Sequence, residues 1–167
     1  DRAIPISIAK HDNLITVSVI SFSYLAMTAM LIINSNSEKA SLIIEKTLIN
    51  ENTTSGDGAA VYFANPVGEL KVNNSKFIGN RAAGFGTAIY SKTEPNITNT
   101  ELTGNYIEGN SLIHFGAVYA TVLNGVTISG NYGKGDLATL FSFDNPSKTT
   151  AFTPFGFVLS PETAVKP

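Results

Sequence analysis

The carboxylates and histidines are the side chains of this sequence that would serve acid–base chemistry. Cleavage of a polysaccharide needs two carboxylates held side by side, or carboxylates that bind a metal ion. When the chain is aligned on its internal repeat, no two aspartates share a position, and we interpret the glutamates as out of phase as well. His11 and His114 stand alone. The sequence therefore predicts no catalytic residue, no metal ligand and no cofactor.

Composition bears on several other kinds of site. The chain of 167 residues has no cysteine, which excludes a disulfide framework and a thiolate site. Its net charge is −2 and it has only two arginines, so there is no basic footprint for nucleic acid. We therefore expect no nucleic-acid partner.

Tyrosines offer one candidate binding surface. Tyr62, Tyr90 and Tyr119 each end a triplet of a small, a β-branched and an aromatic residue. Neighbouring residues of a strand point to opposite faces, so the tyrosines would form an outward column if the β-branched residues point inward. Such an aromatic stripe can bind sugars or protein side chains. The alternative is a stack that only stabilises the sheet.

A loop offers the second candidate surface. Twelve residues separate Asn105 from Ala117, whereas eight separate Asn80 from Ala88, which predicts a loop over residues 106–111 extended by about four residues. Recognition surfaces are often placed on such variable loops. Tyr106 and His114, inside and beside this loop, are therefore candidate binding residues.

These candidates lie on a chain that repeats itself. An apolar residue followed three positions later by asparagine recurs four times, with asparagines 28, 25 and 26 residues apart. An aliphatic residue also stands eight positions before each asparagine. Such a period indicates a solenoid or another array. The anchors are Asn52, Asn80, Asn105 and Asn131, and the aliphatic residues are Ile44, Val72, Ile97 and Leu123.

The repeat length favours a right-handed parallel β-helix. Each unit of roughly 25–29 residues holds about three short strands and no stretch suited to a helix of ordinary length. We predict an all-β solenoid of about four to five coils, with aliphatic columns inside. The anchor asparagines would turn a corner in the left-handed conformation and stack their amides from coil to coil.

Three regions follow from this pattern. Residues 1–40 are predicted as apolar strands or a cap, residues 41–144 as the repeat coils, and residues 145–167 as a cap, linker or docking arm. Residues 14–33 carry no charge and are long enough to span a bilayer as a helix, but their alternating pattern favours strands. No integral membrane span is expected.

One coil carries a resemblance to a known family. The segment FIGN at Phe77–Asn80, followed by GTAIY at Gly86–Tyr90, resembles the repeats of chlamydial-type polymorphic outer-membrane proteins and related autotransporter passengers. Weaker copies cover roughly residues 42–131, without the doubled glycine of that family and with Leu or Ile where Phe is usual. The resemblance implies a bacterial surface adhesin that attaches to a protein or glycan of a host or neighbouring cell.

Three functions therefore stand beside one another. The favoured one is a non-catalytic, adhesin-like module at the cell surface, most simply the bacterial outer membrane. The second is a subunit of an extracellular filament or sheath, because the ends of a β-helix expose strand edges on which further copies can assemble. The third is a polysaccharide lyase or hydrolase built on the same fold.

Overall fold

β-Strands are the only regular secondary structure in the residues that the structure describes, and turns connect them. The computed structural model describes the backbone of residues 6–11, 14–27, 31–33, 39–116, 121–133, 139–144, 152–155 and 158–159. It describes the side chains of residues 39–116, 123–133 and 140–144. Twenty strands, β1 to β20, occupy these segments, and they form three sheets.

Sheet A is the largest and forms two sides of each coil. Its strands are β1 (Ile6–His11), β2 (Leu14–Met27), β4 (Lys39–Asn50), β7 (Glu69–Asn73), β8 (Lys76–Ile78), β11 (Pro95–Thr98), β12 (Glu101–Thr103), β15 (Thr121–Asn124), β16 (Thr127–Ser129), β19 (Phe152–Phe155) and β20 (Val158–Leu159).

Sheets B and C form the remaining sides. Sheet B contains β3 (Leu31–Ile33), β6 (Val61–Phe63), β10 (Ile89–Ser91), β14 (Ser111–Phe115) and β18 (Thr139–Phe143). Sheet C contains β5 (Thr53–Thr54), β9 (Arg81–Ala82), β13 (Tyr106–Ile107) and β17 (Tyr132–Gly133).

Strands of successive coils pair in parallel, which makes the molecule a parallel β-solenoid of about four turns. The exception is β1, which pairs antiparallel with β2 at the N-terminal side. The prediction of an all-β solenoid is confirmed. Residues 14–27 and 31–33 are strands, and no helix long and apolar enough to cross a membrane occurs in the described segments.

The interior includes two mainly aliphatic columns in the predicted register. Each member pairs with its equivalent in the next coil and is at most 1% exposed. Burying such side chains contributes about 1.5–3 kcal/mol each relative to exposure. One column is Ile44, Val72, Ile97 and Leu123, and the other is Ile49, Phe77, Leu102 and Ile128.

The anchor asparagines join the coils at one corner. The backbone N–H and the side-chain Nδ2 of Asn52 both donate to Oδ1 of Asn80, at 3.1 and 3.0 Å. Asn80 donates in the same way to Asn105, and Asn105 to Asn131. Because all four are at most 8% exposed, these bonds satisfy polar groups that would otherwise be costly to bury.

The left-handed residue at this corner is not the asparagine, so that prediction is wrong. It lies one position earlier, at Glu51 (φ 56°), Gly79 (66°), Gly104 (63°) and Gly130 (60°). The asparagine itself must place its side chain inward to reach the next coil, while the preceding residue reverses the chain.

The third coil differs from the sequence alignment. β14 pairs with β10 so that Ile113 lies beside Ile89 and His114 beside Tyr90. The segment after Asn105 therefore re-enters sheet B at Ser111, and the loop over residues 106–111 has no inserted residues. The predicted extension of that loop is wrong, because the triplet ending at Tyr119 is not the equivalent of the one ending at Tyr90.

Candidate functional site

An aromatic ladder runs along the outer face of sheet B. The rings of Tyr62 and Tyr90 are 4.9 Å apart with an interplanar angle of 14°, and those of Tyr90 and His114 are 4.8 Å apart at 9°. The third member is thus His114, which the sequence analysis placed beside the loop and did not align with Tyr62 and Tyr90. Tyr119 lies outside the described residues.

The rings of the ladder stack on one another, and this stacking covers their faces. Tyr90 is 7% exposed and His114 only 3%, so little of either ring is open to a ligand. The ring of Phe85, 42% exposed, lies 5.1 Å from His114 at a tilted angle. The geometry favours stabilisation of the sheet over sugar stacking on ring faces, which the stack itself covers.

His114 lies in the middle of a hydrogen-bonded chain. Its Nε2 is 3.0 Å from Oδ1 of Asp144, and its Nδ1 is 2.8 Å from Oγ of Ser142. That hydroxyl is 2.6 Å from Oγ of Ser111, which accepts the backbone N–H of Gly86 at 3.0 Å. Asp144, as a carboxylate, accepts, so Nε2 carries the proton and Nδ1 accepts from Ser142.

The hydrogen-bonded series contains a carboxylate, an imidazole and a hydroxyl, the groups of a hydrolytic triad. Its hydroxyls, however, connect neighbouring coils. Ser142 bonds both His114 and Ser111, and Ser111 accepts from a backbone amide of the preceding coil. Sequence reasoning missed Ser142, although its separation of 28 residues from His114 equals one step of the repeat. The arrangement cross-links coils instead of presenting a free nucleophile.

The environment of the ladder shifts two pKa values. Burial lowers the pKa of His114 from its ordinary 6.5, against the smaller opposing effect of Asp144. Burial, together with the charges of Asp144 and Asp57, raises the pKa of Tyr90 to about 12. Both shifts favour the neutral form of the ring.

A second aromatic column on sheet C is more open. Tyr106 lies between the guanidinium of Arg81, 4.9 Å from its ring centre, and the ring of Tyr132, 5.0 Å away. Tyr132 is 49% exposed, and Arg81 Nε donates to Glu108 at 2.9 Å. That hydrogen bond is the main reason why the pKa of Arg81 is raised. Here an aromatic face and a charged pair are both available to a partner; we call residues 81, 106, 108 and 132 the tyrosine patch.

Two neighbouring hollows lie beside sheet A, the larger at the turns that precede β7 and β11 and the smaller over these two strands. The larger, about 370 Å³, is lined by residues that include Lys39, Val67, Glu69 and Glu94. The smaller, about 220 Å³, is lined by Lys71, Val72, Asn73, Asn96 and Thr98. Glu69 and Lys71 form an ion pair of 2.8 Å and belong to one hollow each, so the two hollows adjoin.

The carboxylates in the larger hollow correct an expectation from the sequence. Leu70 pairs with Pro95, so the preceding residues Glu69 and Glu94 occupy equivalent positions of adjacent coils. Each of them lies 11 residues before an anchor asparagine, so their equivalence was already visible in the sequence. The interpretation of all glutamates as out of phase is therefore wrong for this pair. Among the described residues, no group of three or more metal-ligating side chains is present.

Comparison with known proteins identifies no relative of the chain. No family model, no curated protein and no solved structure matches it significantly.

Proposed function

We propose that this chain is a non-catalytic, adhesin-like module of a cell-surface protein, which binds a neighbouring or host surface. The observation that carries the proposal is the exposed tyrosine patch on an otherwise regular solenoid. Tyr, Trp and Arg are enriched among the residues that dominate binding energy at protein interfaces. The patch offers Tyr132 and Arg81, held rigidly by their contacts with Tyr106.

The scaffold supports this assignment in physical terms. Strand pairing and the asparagine bonds fix each coil on the next, so the outward side chains have defined positions without depending on one another. A solenoid of this kind presents an extended surface for recognition. The resemblance of FIGN and GTAIY to polymorphic outer-membrane protein repeats agrees with a bacterial surface location, which belongs to the same proposal.

Binding to cells tests the proposal. Wild-type protein, labelled with a fluorophore, is expected to bind bacterial or epithelial cells saturably, and the variant Tyr132→Ala to lose about tenfold or more in affinity. Phe85→Ala, which removes another exposed ring outside the patch, is the matched control. Circular dichroism checks the fold, and light scattering separates binding from self-assembly. Equal binding by wild type and Tyr132→Ala would remove the patch from the mechanism, and absence of saturable binding would remove the adhesin proposal.

The carboxylate pair favours a second candidate, a polysaccharide-cleaving enzyme. Glu69 and Glu94 from adjacent coils line one hollow, as acid–base cleavage of a glycosidic bond requires of two carboxylates. Release of reducing ends from a polysaccharide panel, abolished in Glu94→Gln, would establish this activity. Equal release by wild type and Glu94→Gln, or none at all, would leave the binding module as the function.

A further inference from the structure

The two hollows of sheet A form one polar surface that the adhesin proposal does not use. The larger hollow lies at the turns that precede β7 and β11, and the smaller one lies over these strands, whereas the tyrosine patch lies on sheet C. The larger hollow, at about 370 Å³, falls within the range of small-molecule sites, and the adjoining one extends it along the sheet. We call the two together the sheet A groove.

Backbone recognition of an extended peptide is excluded at the centre of this groove. β7 pairs with β4 on one side and β11 on the other, and β11 pairs with β7 and β15. Adding a peptide strand requires a free strand edge. A ligand over these strands can therefore be held only by side chains.

The side chains of the groove suit a partner rich in hydroxyl groups. The amide of Asn96 is exposed and makes no hydrogen bond to any described residue, so it retains both donor and acceptor capacity. Amides and hydroxyls match ligand hydroxyls, which also donate and accept. Lys39, which is exposed, lines the larger hollow and can donate hydrogen bonds there.

The charges of the groove point to a neutral ligand. Two lysines, Lys39 and Lys71, balance two glutamates, Glu69 and Glu94. A polyanion would meet the two carboxylates, and a polycation the two ammonium groups, whereas an uncharged ligand is repelled by neither. Val67, 55% exposed at the larger hollow, adds an apolar contact for the C–H face of a sugar ring.

We propose that the sheet A groove binds a neutral oligosaccharide. The ligand lies across β7 and β11, with Asn96 and Lys39 contacting it at the two hollows. This site is separate from the tyrosine patch, so it holds or fails independently of the adhesin proposal.

The experiment uses three neutral hexasaccharides, cellohexaose, maltohexaose and chitohexaose, titrated into ¹⁵N-labelled protein. At least one is expected to bind saturably and to shift the amide signals of β7 and β11. The double variant Asn96→Ala/Lys39→Ala removes one hydrogen-bonding group from each hollow. Its affinity is expected to fall about fivefold or more for each hydrogen bond lost.

A matched double variant controls for the substitutions themselves. Asn124→Ala/Lys46→Ala removes an exposed amide and an exposed ammonium group of sheet A, neither of which lines the groove. It should bind as wild type does. The proposal is overturned if none of the three hexasaccharides binds at millimolar concentration, if both double variants bind like wild type, or if the shifted amides belong to sheet C.

Discussion

The buried side chain of Asn80 makes four hydrogen bonds at its corner of the coil. Its Oδ1 accepts from the backbone and side chain of Asn52, and its Nδ2 donates to Ile49 O and to Asn105 Oδ1. Asn80→Ala would remove the acceptor of the Asn52 N–H and a donor to the Ile49 carbonyl, while Asn105 Oδ1 would keep the backbone N–H of residue 80. We expect a loss of about 2–4 kcal/mol in the free energy of unfolding, measured by urea denaturation.

The matched comparison is Asn96→Ala, at an exposed asparagine that makes no hydrogen bond to the described residues. Its free energy of unfolding should stay within about 0.5 kcal/mol of wild type. If Asn80→Ala were as mild, the amide bonds would not be what holds this corner.

His114 makes stability depend on pH. Its pKa in the folded protein is lowered by burial, whereas the unfolded chain has the ordinary value of 6.5. Below pH 6.5 the unfolded state therefore binds more protons, so stability is lost as the pH falls from about 6.5 through the folded pKa. Protonation also requires Nδ1 to donate, which reverses the hydrogen bond with Ser142.

Urea unfolding of wild type and His114→Phe at pH 7.5 and 5.5 measures this effect. The phenyl ring keeps the stack on Tyr90 but does not titrate, so the wild type should lose more stability on acidification than the variant. An NMR titration giving His114 a pKa of 6.5 or higher would contradict the prediction.

At the scale of elements, two glycines at corners of the coil allow the conformational cost of an added side chain to be compared with the cost of a steric collision. Gly104 (φ 63°) and Gly86 (φ 62°) share the left-handed conformation. A Cβ at Gly104 would have no heavy atom within 4 Å, whereas one at Gly86 would lie 2.8 Å from the Cα of Tyr90 and collide with the Ile89 carbonyl.

Gly104→Ala should therefore cost only the conformational term, about 1–2 kcal/mol. Gly86→Ala adds a backbone collision and should cost about 4 kcal/mol or more, or prevent folding. Thermal or urea unfolding of the two variants compares them directly. Equal costs would mean that the chain between β9 and β10 moves to accommodate the new methyl group.

The parts of this fold that the sequence predicted are those with a residue type repeated at a fixed step. The anchor asparagines and both aliphatic columns were found because buried positions restrict residue type in every coil. A further polar ladder, from Thr47 to Ser75 to Thr100, follows the same steps but was missed. Its members differ in type, and it ends where the next coil has Val126.

Strand β14 of sheet B was misplaced in the sequence alignment. Strand register depends on which side chains point inward, and Ile113 fills the interior beside Ile89 while His114 continues the aromatic ladder. In sequence, Ala117-Val118-Tyr119 matches the expected triplet more closely than Leu112-Ile113-His114 does, although the second triplet is the one that pairs with β10. The candidate site was predicted only in part: the exposure of Tyr132 depends on the three-dimensional structure, whereas the equivalence of Glu69 and Glu94 was present in the sequence and was missed.

At the scale of the whole molecule, each coil contacts chiefly the coils before and after it. Strands of the middle coils, such as β8 and β12, are paired on both sides, whereas β5 and β17 are the outer strands of sheet C as far as the structure describes it. Stability in such an array is approximately a sum of coil and nearest-neighbour terms. Hydrogen exchange should therefore be slowest in residues 69–115 and faster towards both ends.

The variant Asn80→Ala shows whether coils open separately. Because Asn80 bonds only the coils of Asn52 and Asn105, exchange should accelerate most in β5, β9 and β13, and less in β16. Hydrogen exchange followed by mass spectrometry on peptides from each coil measures this gradient. If all coils accelerate by the same factor, opening is global and the chain unfolds as one cooperative unit. A graded response would instead show that the outward surfaces of separate coils can change with little effect on one another, as a recognition scaffold requires.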